Sequence, residues 1–310
     1  MVERGVRLVT LAPAKVNLLL RVGPPRPDGF HDIASLMVPL DLGDGVEVRV
    51  SARPGPVTCR VPGHPDLDGP GNLASRAAEA FRRRFGVDRG VAIRIEKRTP
   101  ITAGLGGGSS DAAAVLRCLA RACRVRDPAA LAEVGLAIGS DVPFFLGAGA
   151  AWAEGRGERL RPVDLPWLHL VLVYPRDPGL AIRAGDAYRW LDEDRAGHPV
   201  PPLPRRPRAA RTTLTGNDLQ PPCTARRPAL GRLVGLLESS GSTVAMMSGS
   251  GPTVFGVFDG RKAARRAAAA VEAQEGRDVR VFLARTVKRP PRVSPWRSPR
   301  SASSPSARRS

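Results

Sequence analysis

The sequence is poor in cysteine, aromatic residues, lysine and long apolar runs. Of its 310 residues, 4 are cysteine and 5% are aromatic, and only four of the 48 basic residues are lysine. No apolar run approaches the ~18 residues that a membrane-spanning helix needs. The first residues also lack the basic-then-apolar order of a signal peptide. We therefore expect a soluble, cytoplasmic protein that has no membrane partner.

The cysteines do not form a metal-binding or redox motif. Their positions are Cys59, Cys118, Cys123 and Cys223, and these spacings match no common zinc or disulfide-exchange pattern. Buried structural thiols are the ordinary role of such residues. We expect no metal ion held by the protein's own side chains.

The overall composition is that of a folded protein with excess positive charge. Apolar residues make up 42% and charged residues 25%, which excludes wholesale disorder. The length suffices for two domains of ~150 residues. The net charge of +19 makes nucleic acid, an anionic membrane or a polyanionic small molecule candidate partners.

Much of this charge lies in two proline-rich stretches that contain no acidic residue. Residues 288–310 hold seven basic residues, five prolines and seven serines, and residues 198–211 hold four arginines. Such segments bury too little apolar surface to offset the entropy of ordering them. We predict a disordered tail from Lys288 and an exposed loop over 198–211. Removing these eleven charges from +19 leaves +8 for the rest of the chain.

The hydrophobic pattern predicts a mixture of strands and helices. The predicted strands are Val6–Thr10, Val16–Val22, Val46–Val50, Val91–Ile95, His169–Tyr174 and Val279–Ala284, with a hairpin over Thr243–Phe258. The predicted helices are Leu73–Phe85, Ser110–Ala122, Pro128–Ile138, Arg183–Leu191, Leu230–Glu238 and Arg261–Ala273. This order predicts an α+β chain with an N-terminal domain over 1–164, a C-terminal domain over 165–287, and the tail over 288–310.

The strongest local motif is a glycine-rich loop that leads into a helix. It reads Pro-Ile-Thr-Ala-Gly-Leu-Gly-Gly-Gly-Ser-Ser-Asp from Pro100. Glycine allows close backbone approach and positive φ, and the free N–H groups of a helix start attract anions. We expect the loop to bind phosphate. The alternative is a flexible turn in which Ser109 or Ser110 caps the helix.

The loop fits neither common phosphate-binding class. The Walker pattern requires Gly-Lys-Ser/Thr at the end of the loop, and no lysine is present there. The dinucleotide fingerprint follows the first strand of a βαβ unit, whereas about a hundred residues precede this loop. A different kind of phosphate site is therefore predicted.

Three further motifs place polar residues beside apolar segments. Lys15 and Asn17 share one face of a strand, where burial without partners is costly. His31 follows an Asp-Gly turn and is either an exposed turn residue or part of a site. Asp141 precedes Pro143, which is also how an ordinary helix N-cap looks.

Taken in chain order, these motifs resemble those of the GHMP kinases. The matching segments are Pro-Ala-Lys-Val-Asn, Asp-Gly-Phe-His, the glycine loop, Gly-Ser-Asp-Val-Pro-Phe-Phe, and Met-Ser-Gly-Ser-Gly-Pro, which alone would be typical of a hairpin. The resemblance extends from about Leu11 to Leu283. It implies a two-domain α+β fold, with an N-terminal ribosomal-protein-S5-domain-2-like domain and a C-terminal ferredoxin-like domain.

The resemblance implies an ATP-dependent kinase for a small-molecule alcohol, with Mg²⁺ bound together with ATP. Asp-Gly-Phe-His and Ser-Asp-Val-Pro-Phe-Phe favour the members of the family that phosphorylate the 2-hydroxyl of a cytidine diphosphate ester of 2-C-methylerythritol, in the non-mevalonate isoprenoid pathway. No nucleic-acid partner is expected, and either a monomer or a homodimer fits.

The same resemblance assigns roles to individual residues. Asp141 is the general base for the acceptor hydroxyl, and Lys15 holds base and hydroxyl in register. The implied substrate contacts are Asn17, Phe30, His31 and Tyr188. The implied ATP contacts are Pro100, Ala103, Gly104, Leu105, Gly106, Gly107, Gly108, Ser109, Ser110, Asn72 and Lys97. The implied third glycine loop consists of Ser248, Gly249, Ser250 and Gly251.

The chain departs from the family pattern at three places. Pro24-Pro25 replaces the usual Gly and basic residues, Phe30 stands where Tyr is common, and Ala184 stands where Thr is common. Two alternatives stay open on the sequence: a homoserine- or mevalonate-type GHMP kinase, and a basic nucleic-acid-binding protein with an inactive kinase fold. The second predicts salt-sensitive nucleic-acid binding that is lost when the basic tail is deleted.

Overall fold

The structure is a computed structural model that describes residues 5–147, 149–206 and 215–296. The strands are β1 (Val6–Pro25), β2 (His31–Pro54), β3 (Val57–Arg60), β4 (Arg89–Glu96), β5 (Ala151–Gly155), β6 (Arg159–Pro162), β7 (His169–Pro175), β8 (Gly216–Asn217), β9 (Val244–Met247), β10 (Val254–Phe258), β11 (Val279–Arg285) and β12 (Ser294–Pro295). The helices are α1 (Leu73–Phe85), α2 (Gly107–Ala122), α3 (Pro128–Ile138), α4 (Val142–Leu146), α5 (Ala184–Arg195), α6 (Gln220–Arg226), α7 (Pro228–Ser239) and α8 (Arg261–Glu275). This mixture confirms the predicted α+β class.

The first sheet is built around the long antiparallel pair β1 and β2. Its strand order is β12-β1-β2-β4-β3, with β5 joined to β2, β6 to β5, and β8 to β1. The pairing of β1 with β2 shifts register between Pro13 and Lys15. At this irregularity the backbone N–H of Lys15 donates to the carbonyl of Leu105 at 2.9 Å. The shift therefore fixes the glycine-rich loop against β1.

The second sheet has the strand order β11-β7-β10-β9, with every neighbouring pair antiparallel. In chain order its strands and helices run β7, α7, β9, β10, α8 and β11, which is the ferredoxin-like arrangement expected for the C-terminal half. Helices α5 and α6 add to the same layer. The change from the first sheet to the second falls between β6 and β7.

Both faces of the second sheet are buried, because its side chains alternate between two cores. Val171 and Val173 of β7 pack with residues of the C-terminal helices, whereas Leu170 and Leu172 pack with residues of β1 and β2. Successive residues of a strand point to opposite faces, so this alternation places the two sheets against each other. A third cluster packs α1 and α2 on the first sheet.

The structure corrects two sequence predictions about the first sheet. Val6–Thr10 and Val16–Val22 belong to the single strand β1, and Val46–Val50 is only one part of β2. Polar and turn-forming residues such as Asp44 interrupt the apolar pattern of β2. Asp44 is nevertheless fully buried within the strand, because backbone and side-chain donors from the segment after β4 satisfy its carboxylate.

The prediction of a disordered tail from Lys288 is wrong for residues 288–296. Strand β12 pairs with β1, and the guanidinium of Arg7 lies 3.5 Å from the ring centre of Trp296. Lys288 also bonds to Asp164 at 3.0 Å. The sequence could not show these contacts, because their partners come from distant parts of the chain. Residues 297–310, and residues 207–214, which include the last five residues of the predicted exposed loop, lie outside the described part.

Candidate active site

The glycine-rich loop ends at the N-terminus of α2, which has no side-chain cap. Gly106 precedes the helix in the left-handed conformation, with φ of 70°, and offers no capping group. The first N–H groups of an α-helix have no partner within the helix. Those of Gly107, Gly108 and Ser109 are therefore the donors that a phosphate would use. The turn alternative, in which a serine caps this helix, does not match the structure.

The prediction that Ser110 contacts phosphate does not agree with its position. Its N–H donates to the carbonyl of Gly106 at 2.9 Å, and its side chain is fully buried with an unpaired hydroxyl. The side chains of Pro100, Ala103 and Leu105 are likewise buried under the loop. Of the two serines, only Ser109 is partly exposed at the helix start.

The Gly/Ser loop formed by residues 248–251 packs directly against this glycine-rich loop. The hydroxyl of Ser248 donates to the carbonyl of Gly104 at 3.0 Å. A Cβ added to Gly104 would collide with the carbonyl oxygen of Ser248, and Gly104 also has a φ of 74°. The amide of Asn217 ties the second loop down by donating to the carbonyls of Met247 and Gly249 at 2.9 and 2.7 Å. The two loops thus form one surface.

Lys15 lies at the meeting point of the two loops and is buried to 6% exposure. Its ammonium donates to Oδ1 of Asn17 at 2.7 Å and lies 3.5 Å from Oδ2 of Asp141. The amide of Asn17 donates to the hydroxyl of Ser35, which donates to the carbonyl of Leu19, both at 2.7 Å. The sequence predicted that Lys15 and Asn17 lie on the same face of a strand. This chain of hydrogen bonds fixes the orientation of both side chains on that face.

Asp141 immediately precedes α4, but its side chain does not cap that helix. The N-cap interpretation left open by the sequence is therefore wrong. The side chain of Asp141 is one-third exposed and borders a cavity of about 580 Å³. The carboxylate is thus held beside an ammonium and remains accessible to a ligand.

This cavity brings together most of the predicted catalytic and substrate-binding residues. Those that line it are Lys15, Asn17, Phe30, His31, Asp141, Tyr188, Gly249 and Ser250. The other lining residues include Ser140, Arg156, Ala184, Arg189 and Asp192. The cavity is large enough for a ligand of drug size. The glycine-rich loop meets it at Lys15, because Gly106 packs against that side chain.

Two predicted substrate residues, His31 and Tyr188, form a stacked pair. Their ring centres lie 5.1 Å apart with an interplanar angle of 30°. Nε2 of His31 lies 3.0 Å from Oδ1 of Asp192, and His31 is 9% exposed, so it is not an exposed turn residue. Burial raises the pKa of Tyr188, and the nearby charge of Asp141 acts in the same direction. Tyr188 therefore stays a neutral aromatic ring.

Phe30, in contrast, is 47% exposed at the rim of the cavity. The guanidinium of Arg156 lies 4.5 Å from the centre of its ring. An exposed aromatic ring with a cation on one face leaves the other face free for a flat ligand group. Arg156 adds positive charge to the same rim, which suits an anionic ligand.

The two residues expected at the adenine end, Asn72 and Lys97, are engaged in internal contacts. The amide of Asn72 accepts from the N–H of Ala74 and donates to the carbonyl of Leu67, both at 2.9 Å. The ammonium of Lys97 donates to Asp44 at 2.5 Å and to Asp111 at 2.9 Å. Both side chains are therefore held by contacts within the protein.

A buried ionic cluster of Lys97, Asp44 and Asp111 lies directly beneath the glycine-rich loop. A Cβ added to Gly107 of this loop would lie 3.4 Å from Nζ of Lys97. Burial raises the pKa of Asp111 to about 7, although Lys97 opposes this shift. Burial alone would lower the pKa of Lys97, but Asp111 and Asp44 raise it above its usual value. The pKa of Asp111 is thus raised by burial and by the neighbouring charge of Asp44, whereas the pKa of Lys97 is raised by its two carboxylate partners.

The structure places several groups at the site that no sequence motif indicates. Ser35, Arg156 and Asp192 come from segments that carry no motif. A usable signal existed only for Asp192, which follows Tyr188 by four residues on α5. Residues at this spacing share a helix face, so a predicted pocket residue at 188 points to 192 as its neighbour.

The described residues contain no group of three or more His, Cys, Asp or Glu side chains arranged to hold a metal ion. Magnesium commonly binds through substrate phosphates with only one or two carboxylates from the protein. The cavity, with the partly exposed carboxylate of Asp141 beside the glycine-rich loop, fits a Mg²⁺ ion carried by a nucleotide. In the part of the chain that the structure describes, no helix is long and apolar enough to cross a membrane.

Comparison with protein families and curated proteins identifies close relatives. Residues 72–149 match the model for the GHMP kinases N terminal domain, and residues 206–278 match that for GHMP kinases C terminal. A 4-diphosphocytidyl-2-C-methyl-D-erythritol kinase from Anaeromyxobacter dehalogenans strain 2CP-C is 73% identical over 309 residues, covering 98% of this chain and 99% of the relative. A kinase of the same name from Deinococcus radiodurans is 44% identical over 272 residues, covering 84% and 87%.

Solved structures agree with these relatives. A crystal structure of 4-(cytidine 5'-diphospho)-2C-methyl-D-erythritol kinase superposes with a TM-score of 0.72 at 34% identity, covering 90% of this chain and 99% of the other. A homoserine kinase from Cytophaga hutchinsonii superposes with a TM-score of 0.69 at 16% identity, covering 95% and 98%. The second likeness concerns the fold alone.

Proposed function

The chain belongs to the GHMP kinase family, and we propose that it transfers the γ-phosphoryl group of ATP to the 2-hydroxyl of 4-diphosphocytidyl-2-C-methyl-D-erythritol in the non-mevalonate pathway to isoprenoid precursors. The observation that carries this proposal is the position of Lys15 and Asp141. They lie 3.5 Å apart, where the uncapped start of α2 meets a cavity lined by aromatic and cationic side chains.

Phosphoryl transfer requires a held polyphosphate, compensation of charge and a base for the hydroxyl. The N–H groups of Gly107, Gly108 and Ser109 are proposed to hold the ATP phosphates. Mg²⁺ bound to those phosphates would neutralise part of their charge. The loop of residues 248–251 lies beside these donors, since the hydroxyl of Ser248 donates to the carbonyl of Gly104 in the glycine-rich loop.

Asp141 is proposed to accept the proton of the acceptor hydroxyl. The hydroxyl oxygen then forms a bond to the γ-phosphorus, and the bond from that phosphorus to the bridging oxygen of ADP breaks. Lys15 stabilises the charge that develops on the attacking oxygen. Its own orientation is fixed by Asn17, which accepts a hydrogen bond from its ammonium at 2.7 Å.

The cytidyl end of the acceptor is proposed to lie among Phe30, His31 and Tyr188. Phe30 offers one open ring face, and Arg156 beside it suits the diphosphate. Ala184 borders the same cavity and provides no hydroxyl for a polar contact. Any role of Asn72 and Lys97 in binding ATP is proposed to be indirect, through the shape of the segments that they hold.

We also propose a division into an ATP-binding domain over 1–164 and a C-terminal domain over 165–287. The boundary lies between β6 and β7, although β8 and β12 return to the first sheet.

A cytoplasmic location is supported by the four cysteines, all of which are free thiols, as is usual in reducing compartments. A monomer or a homodimer is proposed as the working state.

The proposal is tested by supplying the purified protein with ATP, Mg²⁺ and one acceptor at a time. We expect ADP formation with 4-diphosphocytidyl-2-C-methyl-D-erythritol and little with homoserine or mevalonate. Phosphorus NMR of the product should show a new phosphomonoester with the diphosphate intact. Efficient turnover of homoserine or mevalonate, with none of the cytidyl substrate, would contradict the proposed acceptor.

A further inference from the structure

Both carboxylate oxygens of Asp192 lie within hydrogen-bond distance of the same ring nitrogen of His31. The two oxygens lie 3.0 and 3.2 Å from Nε2. The stacked ring of Tyr188 covers His31 from the side, and the His31 side chain is only 7% exposed. The imidazole is therefore held in one orientation at the wall of the cavity.

Asp192 differs in its pairing from the other acidic residues of α5. Asp186 pairs with Arg189, Asp194 pairs with Arg226, and Glu193 pairs with both arginines. Within the described residues, Asp192 has no arginine or lysine partner, and its carboxylate contacts the imidazole of His31 instead. Arg189 lines the cavity as well, but its guanidinium is occupied by its own helix neighbours. No described cation thus competes with His31 for this carboxylate.

The pairing determines which nitrogen of His31 carries the hydrogen. An ionised carboxylate only accepts hydrogen bonds, so Nε2 must carry the hydrogen that faces Asp192. In a neutral imidazole the other nitrogen, Nδ1, is then an acceptor. Nδ1 has no hydrogen-bond partner among the described residues, and it is not sealed away from solvent as an unpaired buried atom. It is the ring nitrogen left for a ligand in the cavity.

We propose that Asp192 is a positioning residue that makes this pocket select cytosine over uracil by fixing the tautomer of His31. The inference rests on the proposed function, because it assumes a cytidyl substrate. At ring position 4, cytosine carries an amino group that donates, whereas a uracil-type base carries a carbonyl that accepts. An acceptor at Nδ1 pairs with the first and opposes the lone pairs of the second.

Replacing Asp192 by asparagine tests this idea with little change in shape. The amide of Asn can either donate to Nε2 or accept from it, so the ring is free to adopt both tautomers. We expect the ratio of kcat/KM for the cytidyl substrate to that for its uridyl analogue to fall about tenfold or more. Asp194→Asn, on the same helix but paired with Arg226, is the control and should retain the wild-type ratio.

Nitrogen-15 NMR of the imidazoles supplies a readout that a merely structural role would not move. The chain has four histidines, so His31→Gln identifies the signal of His31. We expect the Nε2–H tautomer in the wild type, because Asp192 faces Nε2, and a mixture of tautomers in Asp192→Asn. A ring protonated at both nitrogens at the assay pH would overturn the proposal.

Failure of this inference can be distinguished from failure of the proposed function. If the wild-type protein turns over the cytidyl substrate but Asp192→Asn retains the wild-type cytidyl-to-uridyl ratio, Asp192 has no positioning role. If the wild-type protein does not turn over the cytidyl substrate at all, the proposed function is wrong, and the selectivity inference falls with it.

Discussion

The ammonium of Lys15 lies 3.5 Å from the carboxylate of Asp141, although the two residues belong to different elements of the fold. Lys15 follows the register shift in β1, and Asp141 stands immediately before α4. Gly106 of the phosphate loop packs against the Lys15 side chain. A cation, a carboxylate and the proposed phosphate-binding backbone therefore meet at one point, which is what phosphoryl transfer to a hydroxyl needs.

Replacing Lys15 by methionine should reduce kcat by about 100- to 1000-fold, because charge on the attacking oxygen would lose its stabilising cation. Methionine keeps the length and apolar body of the side chain in its buried position. The KM for ATP should change little, since the backbone of the α2 N-terminus remains. Steady-state kinetics with both substrates measures this separation. An equal loss in kcat and in ATP binding would assign Lys15 to nucleotide binding instead.

Replacing Gly104 by alanine should destabilise the protein and weaken ATP binding. The new Cβ would meet the carbonyl of Ser248 and would also be strained by the positive φ. Gly63→Ala is the matched control, because Gly63 has a φ of 82° with no atom within 4 Å of the added Cβ. Strain alone costs about 1 kcal/mol, so thermal unfolding should show a larger loss for Gly104. Equal losses of stability in the two variants would mean that the glycine-rich loop and the loop of residues 248–251 are not closely packed.

Replacing His31 by alanine should raise the KM for the cytidyl substrate far more than the KM for ATP. His31 lines the cavity with Tyr188 and Asp192, and its ring stacks on the first and bonds to the second. The variant also removes the ring on which Tyr188 stacks, so circular dichroism should accompany the kinetics. A comparable rise in both KM values would contradict the placement of the cytidyl end.

The stability of the protein should depend on the ionisation of Asp111. Its pKa is raised to about 7 in the folded state, whereas an unfolded aspartate has a pKa of about 3.9. Between these values the folded state holds a proton that the unfolded state releases. The contribution of Asp111 to the free energy of unfolding therefore falls as pH rises through this window, by up to about 1.4 kcal/mol per pH unit.

Urea unfolding of the wild type and Asp111→Asn between pH 5 and 8 isolates this effect. The variant lacks the titrating group. The free energy of unfolding of the wild type should therefore fall relative to that of the variant as pH rises. Asp164→Asn, at an exposed aspartate, serves as the control and should follow the wild type. If the free energies of unfolding of Asp111→Asn and of the wild type differ by the same amount at every pH, Asp111 does not titrate in this range.

Local signals in the sequence predicted some elements to the residue. Helix α1 spans Leu73–Phe85 as predicted, because Asn72 caps its start and Gly86 ends it in the left-handed conformation. Helix α3 likewise begins at Pro128 after the capping side chain of Asp127. The signals for these helices lie within a few residues of their ends, so the sequence alone sufficed.

Elements and site residues that depend on distant partners could not be predicted in this way. Buried Asp44 is stable within β2 only because Lys97 and two backbone N–H groups pair with it. Ser110 was expected at a phosphate, but the helix starts earlier, at Gly107, which turns Ser110 into the core. The motifs identified Lys15 and Asp141, yet only the fold shows that they are neighbours.

The role of Asp141 as the general base is tested most directly by the kinetics of the Asp141→Asn variant, measured together with the binding of ATP to that variant. Asparagine has nearly the same shape but cannot accept the proton of the acceptor hydroxyl. We predict that ATP-dependent phosphorylation is abolished, while the dissociation constant for ATP, measured by calorimetry, stays close to that of the wild type. A variant that retains near-normal kcat would contradict the assignment of Asp141 as the base and, with it, the proposed mechanism.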